Sequence, residues 1–160
     1  MYMNAEMHIF IIWNKARKLE NKIMNDISKN FIVLGKTEII WGKEFFSNNL
    51  SAFYGEKLPK GCNKEKEVGR GPFQLIYVLD ENPLYRKRRV NSGNNIVDVN
   101  VFDSKEMYRV WLKSHNIHSS NTLEEVDHDL YLLLGMHATE VKERLERGEH
   151  INNYVREIKG

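Results

Sequence analysis

An α/β (α+β) domain, with strands and helices alternating around one small sheet, is the fold class this sequence predicts. Three observations predict it. Strongly β-prone apolar runs lie at 8–13, 31–41 and 72–79, apolar residues recur at helical spacing after the first run and again from Thr122, and 160 residues with 41% hydrophobic content suffice for one core.

The first run, His8-Ile9-Phe10-Ile11-Ile12-Trp13, is continuous rather than alternating and reads as a buried strand. Asn14 is the expected cap of a helix over 15–29, where Ala16, Leu19, Ile23 and Ile27 form one apolar face and Asn30 ends the element. A second strand follows over 31–41 through Ile32, Leu34, Ile39 and Ile40, broken by Gly42. The segment 43–53 is expected as a helix with Phe45, Phe46, Leu50 and Phe53 inward. Pro59, Gly61, Gly69 and Gly71, with charges between them, make 55–71 a loop holding a short helical turn.

The run 72–79 is a third strand, central in the sheet. The polar and basic stretch 80–95 is expected as loop with a short helix after Pro83, and 96–102 as a further strand. A short helix is expected over 105–111, with Tyr108 and Trp111 on one side. The clearest helix is 122–134: Thr122-x-x-Glu125 is a capping box, Leu123, Val126, Leu130 and Leu133 form the stripe, and Gly135 is the stop. A highly charged surface helix over 139–147 opens the C-terminal segment 139–160, outside a core of about 7–135 in a single domain 1–160. Trp13, Trp41 and Trp111 are expected as core or interface anchors.

Composition narrows the function. A net charge of +2 demands neither a nucleic-acid nor a membrane partner. The lone Cys62 excludes a disulfide framework and fits a cytoplasmic protein. Residues 1–13 read as a strand rather than a signal peptide, and no apolar run approaches the ~18 residues of a membrane span. His115, His118 and His128 lack a zinc-ligand spacing, so no metal site is expected from them.

The chemistry concentrates in Asn116-Ile117-His118-Ser119-Ser120-Asn121-Thr122, which sets a histidine just ahead of a helix start. Helix N-termini present free N–H groups and the positive dipole end, where phosphates settle. A neutral imidazole beside such a pocket has a nitrogen lone pair able to take a phosphoryl group. The cluster Arg86-Lys87-Arg88-Arg89 is either a solvated loop or a phosphate clamp. Two bland readings stand beside these: Tyr54 as a helix-end core aromatic, and Asp129 as a solvent-exposed residue on the helix face away from Leu130.

The ordered set of motifs resembles the nucleoside diphosphate kinase family over about 7–134. That family's signature, Asn-x-x-His-Gly-Ser-Asp followed by a helix carrying a glutamate, is similar to His115-Asn116-Ile117-His118-Ser119-Ser120-Asn121 and then Asp129. Phe53-Tyr54 falls where the family has His-Tyr, Gly71-Pro72 opens a matching strand, Arg88 and Arg89 fall at a phosphate-contacting arginine, and Lys105 or Arg109 falls near a second. The family's Lys-Pro-Asp is replaced by Trp13-Asn14-Lys15, with Lys15 as the substitute lysine. The resemblance implies a ferredoxin-like antiparallel sheet with packed helices. It implies a phosphotransferase with His118 as nucleophile, Asp129 orienting it, and Lys15, Tyr54, Arg88, Arg89, Lys105, Arg109, Asn116 and Ser120 as nucleotide- or phosphate-binding residues. It also implies nucleoside di- and triphosphates as ligands, Mg²⁺ carried by the nucleotide, and a homo-oligomer. Two alternatives stay open: a non-catalytic nucleotide-binding sensor, to which the missing Lys-Pro-Asp and Ser119 in place of the family's glycine point, and a phosphate-ester hydrolase in the same pocket.

Overall fold

The computed structural model describes residues 4–152, 157 and 158. Its centre is a four-stranded antiparallel sheet of β1 (Glu6–Ile12), β2 (Ile32–Ile39), β3 (Phe73–Asp80) and the short β6 (Ile117–Ser119), in the order β2-β3-β1-β6. A 3₁₀ turn (Asn14–Leu19) and α1 (Glu20–Asn30) connect β1 to β2, and α4 (Val99–Leu112) precedes β6. These two crossovers pack on one face of the sheet, which is the ferredoxin-like arrangement.

Both faces of the sheet are covered, which explains why β1 reads as a continuous apolar run. Phe10, Ile12, Ile76 and Val78 meet Ile23 and Ile27 of α1 and Val101 and Tyr108 of α4. On the other face Ile9, Ile11, Leu75 and Tyr77 meet α2 (Phe46–Tyr54), α5 (Leu123–Leu134) and α6 (Ala138–Glu146). The C-terminal expectation is met only in α6, one residue N-terminal to its expected start and with Val141 buried; 153–156 and 159–160 lie outside the described residues. No described helix is long and apolar enough to cross a membrane.

Several local expectations are corrected. Asn14 does not cap a helix: its side-chain amide donates to the Pro72 carbonyl at 2.9 Å, and a 3₁₀ turn intervenes before α1. The 55–71 loop does hold its expected short helical element, α3 (Asn63–Val68). The basic stretch after Pro83 is not helical. It forms β4 (Tyr85–Val90), paired with β5 (Gly93–Asp98) in a two-stranded hairpin outside the main sheet. The expected strand 96–102 ends at Asp98, which caps α4 by accepting from the Asn100 amide, so α4 starts six residues before the expected 105. The α5 prediction holds, with Thr122 accepting from the Glu125 amide at 3.2 Å and Gly135 in the left-handed region at the C-cap.

The Asn14–Pro72 bond carries a stability prediction. A methyl group added to Gly71 would run into the Asn14 side-chain amide. Gly71→Ala is therefore expected to displace Asn14, break its bond to Pro72 and destabilise the protein by about 1–3 kcal/mol. Urea unfolding measures this, and an unchanged midpoint would count against the close packing.

Candidate active site

β6 was not foreseen as a strand, and it changes the setting of His118. The histidine is not on the loop before α5 but on an edge strand, opposite Ile11 of β1. Paired residues of neighbouring strands share a face, so the ring points to the α2–α5 side. There it packs edge-on against Phe53 at 5.1 Å and Tyr54 at 5.9 Å between ring centroids.

Asp129 reaches the same ring. Its Oδ2 lies 2.8 Å from His118 Nε2. Asp129 is 2% exposed, which corrects the solvent-facing expectation. It lies three residues after Val126 and four before Leu133, both buried, so helical spacing places it in the inward stripe. Glu125 Oε1 lies 3.7 Å from the same Nε2. Burial, followed by the Asp129 charge, raises the Glu125 carboxyl above its ordinary range, while His118 pulls it down. The Asp129 carboxyl oxygen is the acceptor of the one hydrogen bond at Nε2, which places the ring proton on Nε2. Nδ1 has no hydrogen-bond partner among the described residues.

A cleft of about 1230 Å³ opens over His118, between α4, the β4–β5 hairpin, the α2–α3 region and the start of α5. Its cationic lining is Lys64, Arg89, Lys105 and Arg109, and its acidic lining is Glu56, Glu106, Glu124 and Glu125. Arg109 is fixed by donating from Nε and Nη2 to the Ile117 carbonyl at 3.2 and 2.9 Å, one residue before His118. Lys105 lies 4.2 Å from the Phe102 ring centroid and 3.7 Å from Glu106. Lys64 sits over the Tyr54 ring at 5.1 Å and donates to the His115 carbonyl at 3.0 Å. Burial pulls the Lys64 ammonium below its ordinary range and raises the Tyr54 hydroxyl.

Of the residues named from sequence, His118, Tyr54, Arg89, Lys105 and Arg109 line the cleft, with Asp129 behind the ring. Four do not line it. Arg88 turns away because neighbouring strand residues face opposite sides, and its guanidinium grips Asp103 at 3.0 and 2.9 Å. Ser120 is buried against β1, accepting from the Ile9 amide at 2.9 Å. Asn116 is buried, its amide donating to the Glu67 carbonyl at 3.4 Å. Lys15 lies against Gly69. Sequence reasoning missed Lys64, hidden in the charge-rich 60–70 stretch, and read Glu125 only as a helix cap.

Lys105 gives a pH signature. Burial first, then the Arg109 charge, pushes its ammonium from an ordinary 10.5 down to about 8. Between these values the unfolded chain holds a proton that the folded chain has lost, so stability rises with pH across that window. Lys105→Met is expected to raise the melting temperature at pH 7, with the gain vanishing as pH rises from about 8 past 10.5. Thermal melts across that range check it, and a gain independent of pH would contradict a buried ammonium.

Fold and site together define an α+β domain of ferredoxin-like topology with a histidine–carboxylate pair in a mixed-charge cleft. No family model and no curated protein matches the chain. Among solved structures it is similar to the orthorhombic C222 crystal form of Aquifex aeolicus nucleoside diphosphate kinase, at 13% identity over 79% of this chain and 92% of that chain, with a TM-score of 0.49. At that identity the likeness carries no residue-level correspondence.

Proposed function

We propose that the cleft is a nucleotide phosphate site in which His118 accepts and passes on a phosphoryl group, as in a nucleoside-diphosphate-kinase-like phosphotransferase. The observation that carries this reading is the His118–Asp129 pair: with Nε2 tied to a buried carboxylate, Nδ1 is left as the nucleophile. Its lone pair attacks the terminal phosphorus of a nucleoside triphosphate. The bond from that phosphorus to the bridging oxygen breaks, and the nucleoside diphosphate leaves. A second diphosphate then attacks the phosphohistidine and regenerates the ring.

The protein's contribution is positioning and charge. Asp129 holds the ring orientation and stabilises the positive charge that forms on it. Arg109, Lys105 and Arg89 are the donors to the phosphate oxygens, and Lys64 supplies the lysine expected of Lys15. Tyr54 forms one wall with its hydroxyl as a further donor. The four glutamates of the lining would repel bare phosphates, so the nucleotide is expected to enter as its Mg²⁺ complex. Glu124 and Glu125 offer oxygen ligands suited to that hard cation. A homo-oligomer and a cytoplasmic location remain part of the proposal. The test is formation of an acid-labile, alkali-stable phosphoprotein from a γ-labelled triphosphate.

A further inference from the structure

A second polar cluster lies at the other end of β1, built from residues far apart in sequence. His8 is fully buried. Its Nδ1 is 3.2 Å from the Ser120 hydroxyl, and its Nε2 is 3.2 Å from Glu6 Oε1 and 3.5 Å from Asp98 Oδ2. Asp80, also buried, stands beside them, held by the Asn100 amide at 3.1 Å. Asp98 Oδ1 is satisfied by the Leu84 and Asn100 amides, both at 3.2 Å, but Asp98 Oδ2 is buried with no hydrogen-bond donor. Among the described residues no lysine or arginine pairs with Glu6, Asp80 or Asp98.

Three carboxyl groups around one imidazole, without a cationic side chain, crowd buried oxygens that either a shared proton or a bound cation must bridge. The ligand atoms of Glu6, His8 and Asp98 lie within 4.8 Å of one another. His8 Nε2 is already 3.2 and 3.5 Å from the two carboxyl oxygens, within the ~3–4 Å that metal–ligand bonds of ~2.0–2.2 Å require, and the Tyr85 hydroxyl holds the Glu6 oxygen in place at 2.7 Å. Ser120 supplies the outer partner that a ligating imidazole needs. With Nδ1–H donating to its hydroxyl, the Nε2 lone pair points at the two carboxylates.

We propose that Glu6, His8 and Asp98 form a binding site for a divalent transition ion of the zinc class. An imidazole nitrogen with two carboxylates favours such an ion over Mg²⁺ or Ca²⁺. Water or Asp80 completes the shell. The site is structural. It ties β1 to Asp98, the junction of the β4–β5 hairpin and α4, and so braces the wall that lines the cleft. The ligands differ from those of the cleft, so the two readings stand or fall separately.

The test uses metal-stripped protein carrying His118→Ala, because His118, Glu125 and Asp129 form another trio of ligand atoms. Zn²⁺ titrated by calorimetry is expected to bind at one per chain and to raise the melting temperature. Co²⁺ should give visible d–d bands from a nitrogen–oxygen shell. Glu6→Gln and Asp98→Asn, which keep shape but remove charge, should each weaken binding at least tenfold. If Asp98→Asn does not fold, Glu6→Gln at its half-buried position decides. Absence of stoichiometric binding, as a bridging proton in place of a metal would give, overturns the proposal. So does binding that Glu6→Gln leaves unchanged.

Discussion

Replacing His118 by alanine is expected to abolish phosphoryl labelling from γ-labelled nucleoside triphosphate and to lower transfer to a diphosphate by at least about a thousandfold. That corresponds to ~4 kcal/mol of activation free energy. The size follows from what the ring supplies. Removing it deletes the covalent route, leaving only direct transfer between bound nucleotides. The fold should be little disturbed, because β6 is held through its backbone to β1 and the His118 ring stands at the cleft edge, 14% exposed in its side chain. Asp129→Asn is the informative companion. It leaves an acceptor oxygen at Nε2 but removes the charge that stabilises the phosphorylated ring, so labelling should be slower yet present. Label retained by His118→Ala, or no label from any of the four common triphosphates, would sink the proposal. Phosphate released without an acceptor diphosphate would identify water as the acceptor.

The parts of this fold that sequence made legible are those whose apolar pattern is set by burial. β1 and β3 are covered on both faces and read as unbroken apolar runs, while α5 shows stripe, cap and stop together. β4 and the first half of β5 escaped because the hairpin stands off the sheet. Its strands, Arg86-Lys87-Arg88-Arg89 and Gly93-Asn94-Asn95, are mostly exposed and lack alternation. The start of α4 escaped because Val99, Val101 and Phe102 are β-prone residues that tertiary burial holds in a helix. β6 has three residues, too few for a period. The same logic governs the cleft. His118 and Asp129 were found through the order of motifs, but choosing between Arg88 and Arg89 required knowing that they sit on a strand. The bond from the Ile9 amide to Ser120, 111 residues apart in sequence, belongs to a pairing that no local pattern encodes.

The largest stability effect is expected from Trp13→Ala. Trp13 is fully buried at the end of β1, where the ring centroids of Phe73, Trp41, Phe53 and Tyr54 lie 4.5, 5.8, 5.9 and 6.2 Å from its own. Truncation removes the hub of this aromatic cluster, and the sheet and α2 cannot collapse far enough to fill the space. A loss of about 3–5 kcal/mol follows from transfer and cavity terms together. In a single domain of ordinary stability, about 5–15 kcal/mol, that is a large fraction of the total. The effect reaches the cleft through two contacts. Phe53 and Tyr54, which rest on Trp13, are also the rings that flank His118. The backbone N–H of residue 13, which alanine keeps, donates to the Asn116 carbonyl at 3.3 Å just before β6, so any shift of the β1 end is passed to the strand that carries His118. Trp13→Ala should therefore lower the urea midpoint and also slow labelling of His118, whereas Trp13→Phe, which keeps an aromatic ring in the cluster, should lose less of both. A loss below about 1 kcal/mol by chemical denaturation would show that the neighbouring rings close the cavity, and that the cluster does not hold the histidine wall in place.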